Sequence, residues 1–277
     1  MTANLPMTLT PVAPGLPGAE LRSTVGRDVR LVFSRALMLT LRNPVWLIMG
    51  LAQPLLYLVF FGPLLKNLAG VPGFPPGDPW QVFVPAIMVM LGLFGSAFAG
   101  FGLIQEWRDG VIERMRVTPL SRFALLAGRV LRDGVVLIAQ SALLIGASLL
   151  LGLRAPAAGV LVGILLVASL GMTFAAASYT VALAVKTEDA MAPLINGILL
   201  PVMLLSGIML PITRGFAPDW LYWISRCNPV AYVVDATRAA FLGDFASWHF
   251  WAGTLITVAM VAVGLAVSTR AFARQSS

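Results

Sequence analysis

Among its 277 residues the chain has one cysteine, Cys227, and one histidine, His249. That excludes an internal disulfide, a multi-cysteine metal site and any relay built on several histidines. Charge is also scarce: Asp, Glu, Lys and Arg make up 11% of the residues, against about 25% in a soluble domain. Apolar residues make up 58% and the mean hydropathy is +0.88. These values fit a polytopic membrane protein with one membrane domain. The only lysines, Lys66 and Lys186, follow Leu65 and Val185. No G-x-x-x-x-G-K-[ST] phosphate loop can be placed on either, so ATP that drives this protein must bind another polypeptide. The opening MTANLPMTLTPVAPGLPGAE lacks a cationic segment followed by an apolar one, so residues 1–20 are expected to be a disordered cytoplasmic tail and not a signal peptide.

What is present is a series of long apolar runs. A bilayer core of about 30 Å takes about 20 residues of helix. Six runs qualify, at 45–65, 81–104, 134–152, 157–185, 191–210 and 248–268. Asn43-Pro44 offers a cap and an N1 proline for the first, and Pro54 predicts a kink within it. The second carries Gly92, Gly95, Gly100 and Gly102, which permit close helix contact in lipid. Before these runs, residues 21–42 place Val25, Val29, Val32, Phe33, Ala36 and Leu37 at helical spacing among five arginines. That pattern predicts a helix lying on an anionic membrane face, with a simple basic flank as the alternative.

The basic residues are distributed unevenly. With both termini inside, the cytoplasm receives Arg22, Arg27, Arg30, Arg35, Arg42, Arg108, Arg114, Arg116, Arg122, Arg129, Arg132, Lys186, Arg270 and Arg274. The outside receives Lys66, Arg154, Arg214, Arg226 and Arg238. The positive-inside rule therefore selects six spans with cytoplasmic N and C termini. The net charge of +7 reports orientation here and not nucleic-acid binding.

Within the bounds given above, no span holds a charged residue or histidine away from its ends. A charge at a span's centre costs about 2.5–3.5 kcal/mol on insertion scales. Ion-coupled carriers keep such groups, so their absence counts against a gradient-driven carrier, although coupling through carbonyls, Ser or Asn stays open. It also counts against an intramembrane acid–base enzyme.

Two segments do not fit the spans. The first is the polar stretch QEWRDGVIERMRVTPLS, from Gln105 to Ser121. A helix over 105–118 puts Trp107, Val111, Ile112 and Met115 roughly on one face. Glu106, Arg108, Asp109, Glu113 and Arg116 occupy the others, with Glu113 and Arg116 at i,i+3. Thr118-Pro119 ends it, and Ser121 is placed to cap the next helix, where Arg129 and Asp133 stand at i,i+4. Such a helix fits either a partner's groove or the lipid surface, and patterning does not choose between them. The second segment, 212–247, holds two short helices, the latter opened by Asn228-Pro229 and closed by Gly243. Too short to cross, they suggest a re-entrant outer hairpin, with Asp235 and Arg238 neutralising each other at i,i+3. The alternative is an external amphipathic loop with Trp220, Tyr222, Trp223 and Trp248 as an aromatic belt. Cys227 is expected to fill a packing gap, and His249 to stand at the membrane interface.

Glu106 to Arg129, "E…RDG…ER…VTPLSR…LAGR", resembles the first cytoplasmic loop of type-2 ATP-binding-cassette exporter permeases of the drug-resistance branch. WLYWISRCNPVAYVVDATRAAFLG, Trp220 to Gly243, resembles that family's paired outer helices, the pattern falling on Asn228, Pro229, Tyr232, Arg238 and Gly243. The likeness extends to the number and order of spans. It implies an all-α membrane fold of six transmembrane helices with an N-terminal interfacial helix and a re-entrant outer hairpin. It also implies a bacterial inner-membrane permease that pairs with a second permease copy, the same or a paralogue, and exports an amphipathic drug-like or lipid-like cargo. Glu106 to Arg116 would be its coupling helix, and ATP and Mg would reside on a separate ATPase subunit, with no cofactor on this chain. A gradient-driven carrier and a non-transporting scaffold or lipid-modifying protein are the competing readings.

Overall fold

A computed structural model describes residues 25–43, 45–65, 78–110, 122–214 and 217–274. Among them there is no strand, and ten helices are present. They are α1 (Val25–Arg42), α2 (Val45–Leu65), α3 (Pro79–Ala97), α4 (Ala99–Arg108), α5 (Arg122–Leu150), α6 (Ala157–Val185), α7 (Glu188–Leu205), α8 (Asp219–Arg226), α9 (Pro229–Leu242) and α10 (Trp248–Arg274). Six helical segments are long and apolar enough to cross a membrane: α2, α3 with α4, α5, α6, α7 and α10.

Local chemistry sets the ends of several elements. Asp78 caps α3 by accepting from the Trp80 N–H at 3.2 Å, while Gln81 accepts from the Asp78 N–H at 3.3 Å. Asn228 caps α9 ahead of Pro229, and Gly243 closes it at φ +76°. Both ends of α9 thus lie where the sequence puts them.

The second span is a two-part post at the centre of the bundle. In its most apolar window 78% of residues are buried, against 17% in α10. It is interrupted at Phe98, where Ser178 Oγ of α6 donates to the Ala97 carbonyl at 2.6 Å and itself accepts from the Gly100 N–H at 3.0 Å. One hydroxyl therefore serves both groups left free by the break, which is why a buried discontinuity is tolerated.

Cross-links fix which helix ends meet. At one end, Gly62 abuts Trp80, Gln81 donates to the Arg154 carbonyl, and Asn228 donates to the Val202 carbonyl at 2.6 Å. At the other end, Arg132 donates to Thr40 at 3.2 Å and Arg108 meets Glu188 at 3.4 Å. The helix α1 lies against α5 here, with Gly128 beneath Val32 and Phe33. Its Leu31, Met38 and Leu41 face outward.

Four expectations change. The third span, expected at 134–152, is the end of one continuous helix that starts at Arg122. Arg129, Arg132 and Asp133 therefore ride on a span, and charge is not confined to the ends of the apolar runs. Nothing between Phe123 and Gly134 breaks a helix, and the charges are accommodated because neighbouring helices supply partners. The second span runs on from 104 to Arg108, so Gln105 to Arg108 finish α4, while 111–118 of the expected coupling helix lie outside the described residues. Asp109 and Gly110 form a turn after it, with Gly110 at φ +68°. The fifth span covers 188–205 and not 191–210, because Thr187 takes the extended N-cap backbone and Glu188 and Asp189 fill the first turn. Finally, Cys227 is exposed at the end of α8 and fills no gap.

Candidate functional site

The end of α4 is held by three helices through three consecutive side chains. Glu106 pairs with Arg129 of α5, whose side chain is almost wholly buried. The ring of Trp107 lies under Lys186 Nζ, 5.1 Å from its centroid, at the end of α6. Arg108 meets Glu188 in the first turn of α7 at 3.4 Å. Successive residues of an α-helix point about 100° apart, so a tripod of this kind needs only one turn of helix and three neighbours. Lys186 sits at φ +60°, the one described non-glycine residue in the left-handed region. That conformation ends α6 and turns the chain into Thr187 and α7.

A second polar group lies beside the tripod. Tyr179 of α6, almost fully buried, donates its hydroxyl to Asp133 Oδ2 at 2.6 Å and accepts from Arg132 Nη2 at 3.2 Å. Arg132 also approaches Asp133 at 3.0 Å and reaches Thr40 of α1. This group joins α1, α5 and α6, and with the tripod, which adds α4 and α7, five elements meet at one end of the bundle through charged and polar contacts.

The sequence-derived coupling residues divide here. Glu106, Trp107, Arg108 and Asp109 are placed on α4 and the turn after it. Val111, Ile112, Glu113, Met115 and Arg116, like the Ser121 cap, lie outside the described residues. Arg129 does not pair with Asp133 as the i,i+4 spacing suggested: Glu106 takes Arg129, and Arg132 with Tyr179 takes Asp133. Tyr179, Lys186 and Glu188 went unrecognised. Lys186-Thr-Glu-Asp189 lies between the fourth and fifth apolar runs and carries no pattern that pairs it with α4, and no periodicity marks Tyr179 within an apolar run. The unusual signal was the density of hydrogen-bonding groups close to that segment.

At the opposite end, α9 is enclosed by α3, α6 and α10. A side chain at Gly159 would strike the Ala240 carbonyl, and one at Gly253 would strike the Tyr232 carbonyl, so both glycines admit backbone-to-helix contact. Arg238 is buried and donates from Nε to the Val82 carbonyl at 3.0 Å and from Nη2 to the Gly207 carbonyl at 2.8 Å. Burial pushes its guanidinium down to about 10, still far above neutral pH. Asp235 was expected to pair with Arg238, which stands 4.0 Å away; its close partner is Arg226 of α8, at 2.6 Å. Arg238 thus keeps Asp235 as a distant i,i+3 partner and adds the two backbone carbonyls. Trp220 is exposed on α8, while Tyr232 faces Arg226 from α9 at 5.4 Å. Among the described residues no group of three His, Cys, Asp or Glu is arranged to hold a metal.

The ABC-2 type transporter family matches residues 27–242, from α1 to the last residue of α9. The chain belongs to the ABC-2 type transporter family. It is a transport permease, a multi-pass membrane protein built on the six apolar helices. Members of this family are membrane subunits without an ATPase of their own. The chain is 29% identical over 211 residues to a protein of Cyanophora paradoxa named transport permease ycf38, covering 76% of this chain and 71% of that protein. It is 26% identical over 209 residues to a Mycobacterium tuberculosis protein named as the doxorubicin resistance ABC transporter permease DrrC, covering 73% of this chain and 72% of that one. In this ABC-2 permease the tripod stands at the end of α4, immediately before Asp109 and Gly110.

Proposed function

We propose that this permease exports an amphipathic drug-like or lipid-like cargo, driven by ATP hydrolysed with Mg on a separate ATPase subunit that engages the loop after Arg108. The observation that carries this reading is the tripod. A load applied beyond Asp109 meets α4 first, and Glu106, Trp107 and Arg108 pass it to α5, α6 and α7 together. Supporting it, the chain has no Gly-Lys pair on which a phosphate loop could be built. The cargo class is supported by the printed name of the doxorubicin resistance relative.

The same reading puts the tripod end in the cytoplasm of a bacterial inner membrane, supported by the excess of arginine on that side. Helix α1 then lies at the cytoplasmic interface with Leu31, Met38 and Leu41 toward lipid, and α8 with α9 forms the outer hairpin. A second permease copy meets the apolar faces of α2 and α7, supported by the outward-facing Ile48, Met49 and Phe60 and by Ile198, Leu200 and Leu204. ATP binding would shift the first and fifth spans at that seam together with the second span packed behind them.

The Arg132–Asp133–Tyr179 cluster is the one observation that favours a gradient-driven carrier, because ionisable groups within spans mark ion paths. In this permease each of the three has a partner within the cluster, so its position is equally that of a brace between helices. Reconstitution with the ATPase subunit separates the two. Export that follows ATP supply and survives a protonophore supports the proposal. Export that collapses with the proton gradient at constant ATP contradicts it. Asp109→Arg with Glu113→Arg is expected to reduce ATPase-subunit binding or export, and unaltered values for both would remove the lever from the account.

A further inference from the structure

The α8–α9 hairpin and the start of α10 border a half-open cavity of about 210 Å³ that the transport reading leaves without a role. Its lining includes Tyr222, Trp223 and Arg226 of α8, Tyr232 of α9, and Trp248 and His249 of α10. Such a set of rings would suit a cation, but the protein's own guanidinium already occupies that position. Arg226 stands 5.0 Å from the Tyr222 centroid and 5.4 Å from that of Tyr232. A second guanidinium, Arg214, covers Tyr222 and Trp223 at 5.0 and 5.4 Å. The aromatic faces are thus taken, and the chemistry still unsatisfied is that of a donor.

Arg226 bonds Asp235 through Nη1 at 2.6 Å, while its Nε is buried with no hydrogen-bond partner. A buried charged N–H without an acceptor is costly. Local charge has the same sign. Asp235 is one carboxylate between two guanidiniums, with Arg238 4.0 Å away and bonded to the Val82 and Gly207 carbonyls. The cluster therefore carries one residual positive charge, and Arg226 is the member of it that reaches the cavity.

Four tryptophans, Trp220, Trp223, Trp248 and Trp251, are exposed on α8 and at the start of α10. Exposed indoles gathered at one end of a membrane bundle sit at headgroup depth. We propose that this cavity binds the monoanionic phosphodiester of a membrane lipid headgroup, with Arg226 as the donor and the aromatic side chains as its walls. The site is distinct from the coupling end and does not depend on how transport is energised. A free phosphate shares this chemistry, and the test separates the two sources.

Full-length protein in non-ionic detergent is titrated with phosphatidylglycerol, with a diacylglycerol of the same chains and with inorganic phosphate, reading the midpoint of thermal unfolding. A saturable rise with phosphatidylglycerol alone is expected. An equal rise with diacylglycerol overturns the site, because the chains alone would then suffice. An equal rise with inorganic phosphate overturns the lipid as its source. Arg226→Lys keeps the charge and removes the guanidinium's fork of donors, so the apparent Kd for phosphatidylglycerol should rise about tenfold or more, the range of a hydrogen bond to a charged group. An unchanged Kd contradicts the assignment. Should that variant fail to fold, Trp248→Glu places a carboxylate on an exposed position at the lining, and an undiminished affinity there is equally contrary.

Discussion

At the scale of single residues, the contacts that matter are those that a buried group makes with few partners among the described residues. Arg129 is nearly closed off from solvent, whereas Glu106 is partly exposed. Removing the carboxylate strands the guanidinium, so Glu106→Ala should cost about 1–3 kcal/mol. In an Arg129→Met background the same change should cost much less, and a double-mutant cycle on thermal unfolding measures the difference. The Arg108–Glu188 pair is solvated on both sides, and its loss should cost at most about 1 kcal/mol. Arg238 is the opposite case, because it is buried and donates to two carbonyls, Val82 in α3 and Gly207 in the turn after α7. Arg238→Met should destabilise by about 2 kcal/mol or more. Because burial lowers its folded pKa to about 10, the unfolded chain binds more protons above that pH, and stability gains from this group only as pH rises past it. Between pH 6 and 9 it is charged in both states, so the stability gap between wild type and Arg238→Met should be flat there. A gap that narrows toward pH 6 would contradict this.

At the scale of elements, two short irregularities decide how α4 is held. The break at Phe98 separates the buried post from the segment that carries the tripod, and Ser178 satisfies both of its free backbone groups. Ser178→Ala should cost about 1–3 kcal/mol through those unsatisfied groups, whereas Ser178→Cys, which retains a weak donor, should cost less; unfolding midpoints of the two variants compare them. Lys186 terminates α6 in a left-handed conformation that glycine adopts without penalty. Lys186→Gly should therefore leave the unfolding midpoint equal or higher while removing the contact with Trp107. Lys186→Ala keeps the backbone cost and loses the contact, and should be the less stable of the two.

The same elements show what was legible from sequence. The α9 boundaries could be read because Asn228-Pro229 and Gly243 act locally, through a cap, a fixed φ and a positive φ. The first and fourth spans, 45–65 and 157–185, could be read because apolar length alone defines them. The start of the third could not. Arg129, Arg132 and Asp133 look like the end of a membrane segment until Glu106, Tyr179 and Thr40 are seen to receive them. The pairing of Asp235 was hidden for the same reason. Spacing along one helix favoured Arg238, but Arg226 from the preceding helix stands closer. Partners that arrive from elsewhere in the chain leave no period in the sequence.

At the scale of the whole molecule, this ABC-2 permease has a central buried post, polar contacts at one end and a packed hairpin at the other. The post connects them: Val82 near its start is bonded by Arg238, and Glu106 near its finish is bonded by Arg129. A movement of α4 can therefore reach the hairpin along a single span. Gly159 and Gly253 hold α9 against α6 and α10, and a leucine at either should displace the hairpin. The expected result is lower export with the binding of the ATPase subunit unchanged, because the substitution lies at the far end of the bundle. The ratio of cargo exported to ATP hydrolysed, measured in proteoliposomes containing the permease and its ATPase subunit, tests the central claim most directly. Arg129→Gln, Lys186→Ala and Glu188→Gln together remove the three receivers of the tripod and leave Glu106, Trp107, Arg108 and the following loop intact. The account predicts continued ATP hydrolysis with export per ATP reduced about tenfold or more, each decade corresponding to about 1.4 kcal/mol of lost coupling. An unchanged ratio would contradict it.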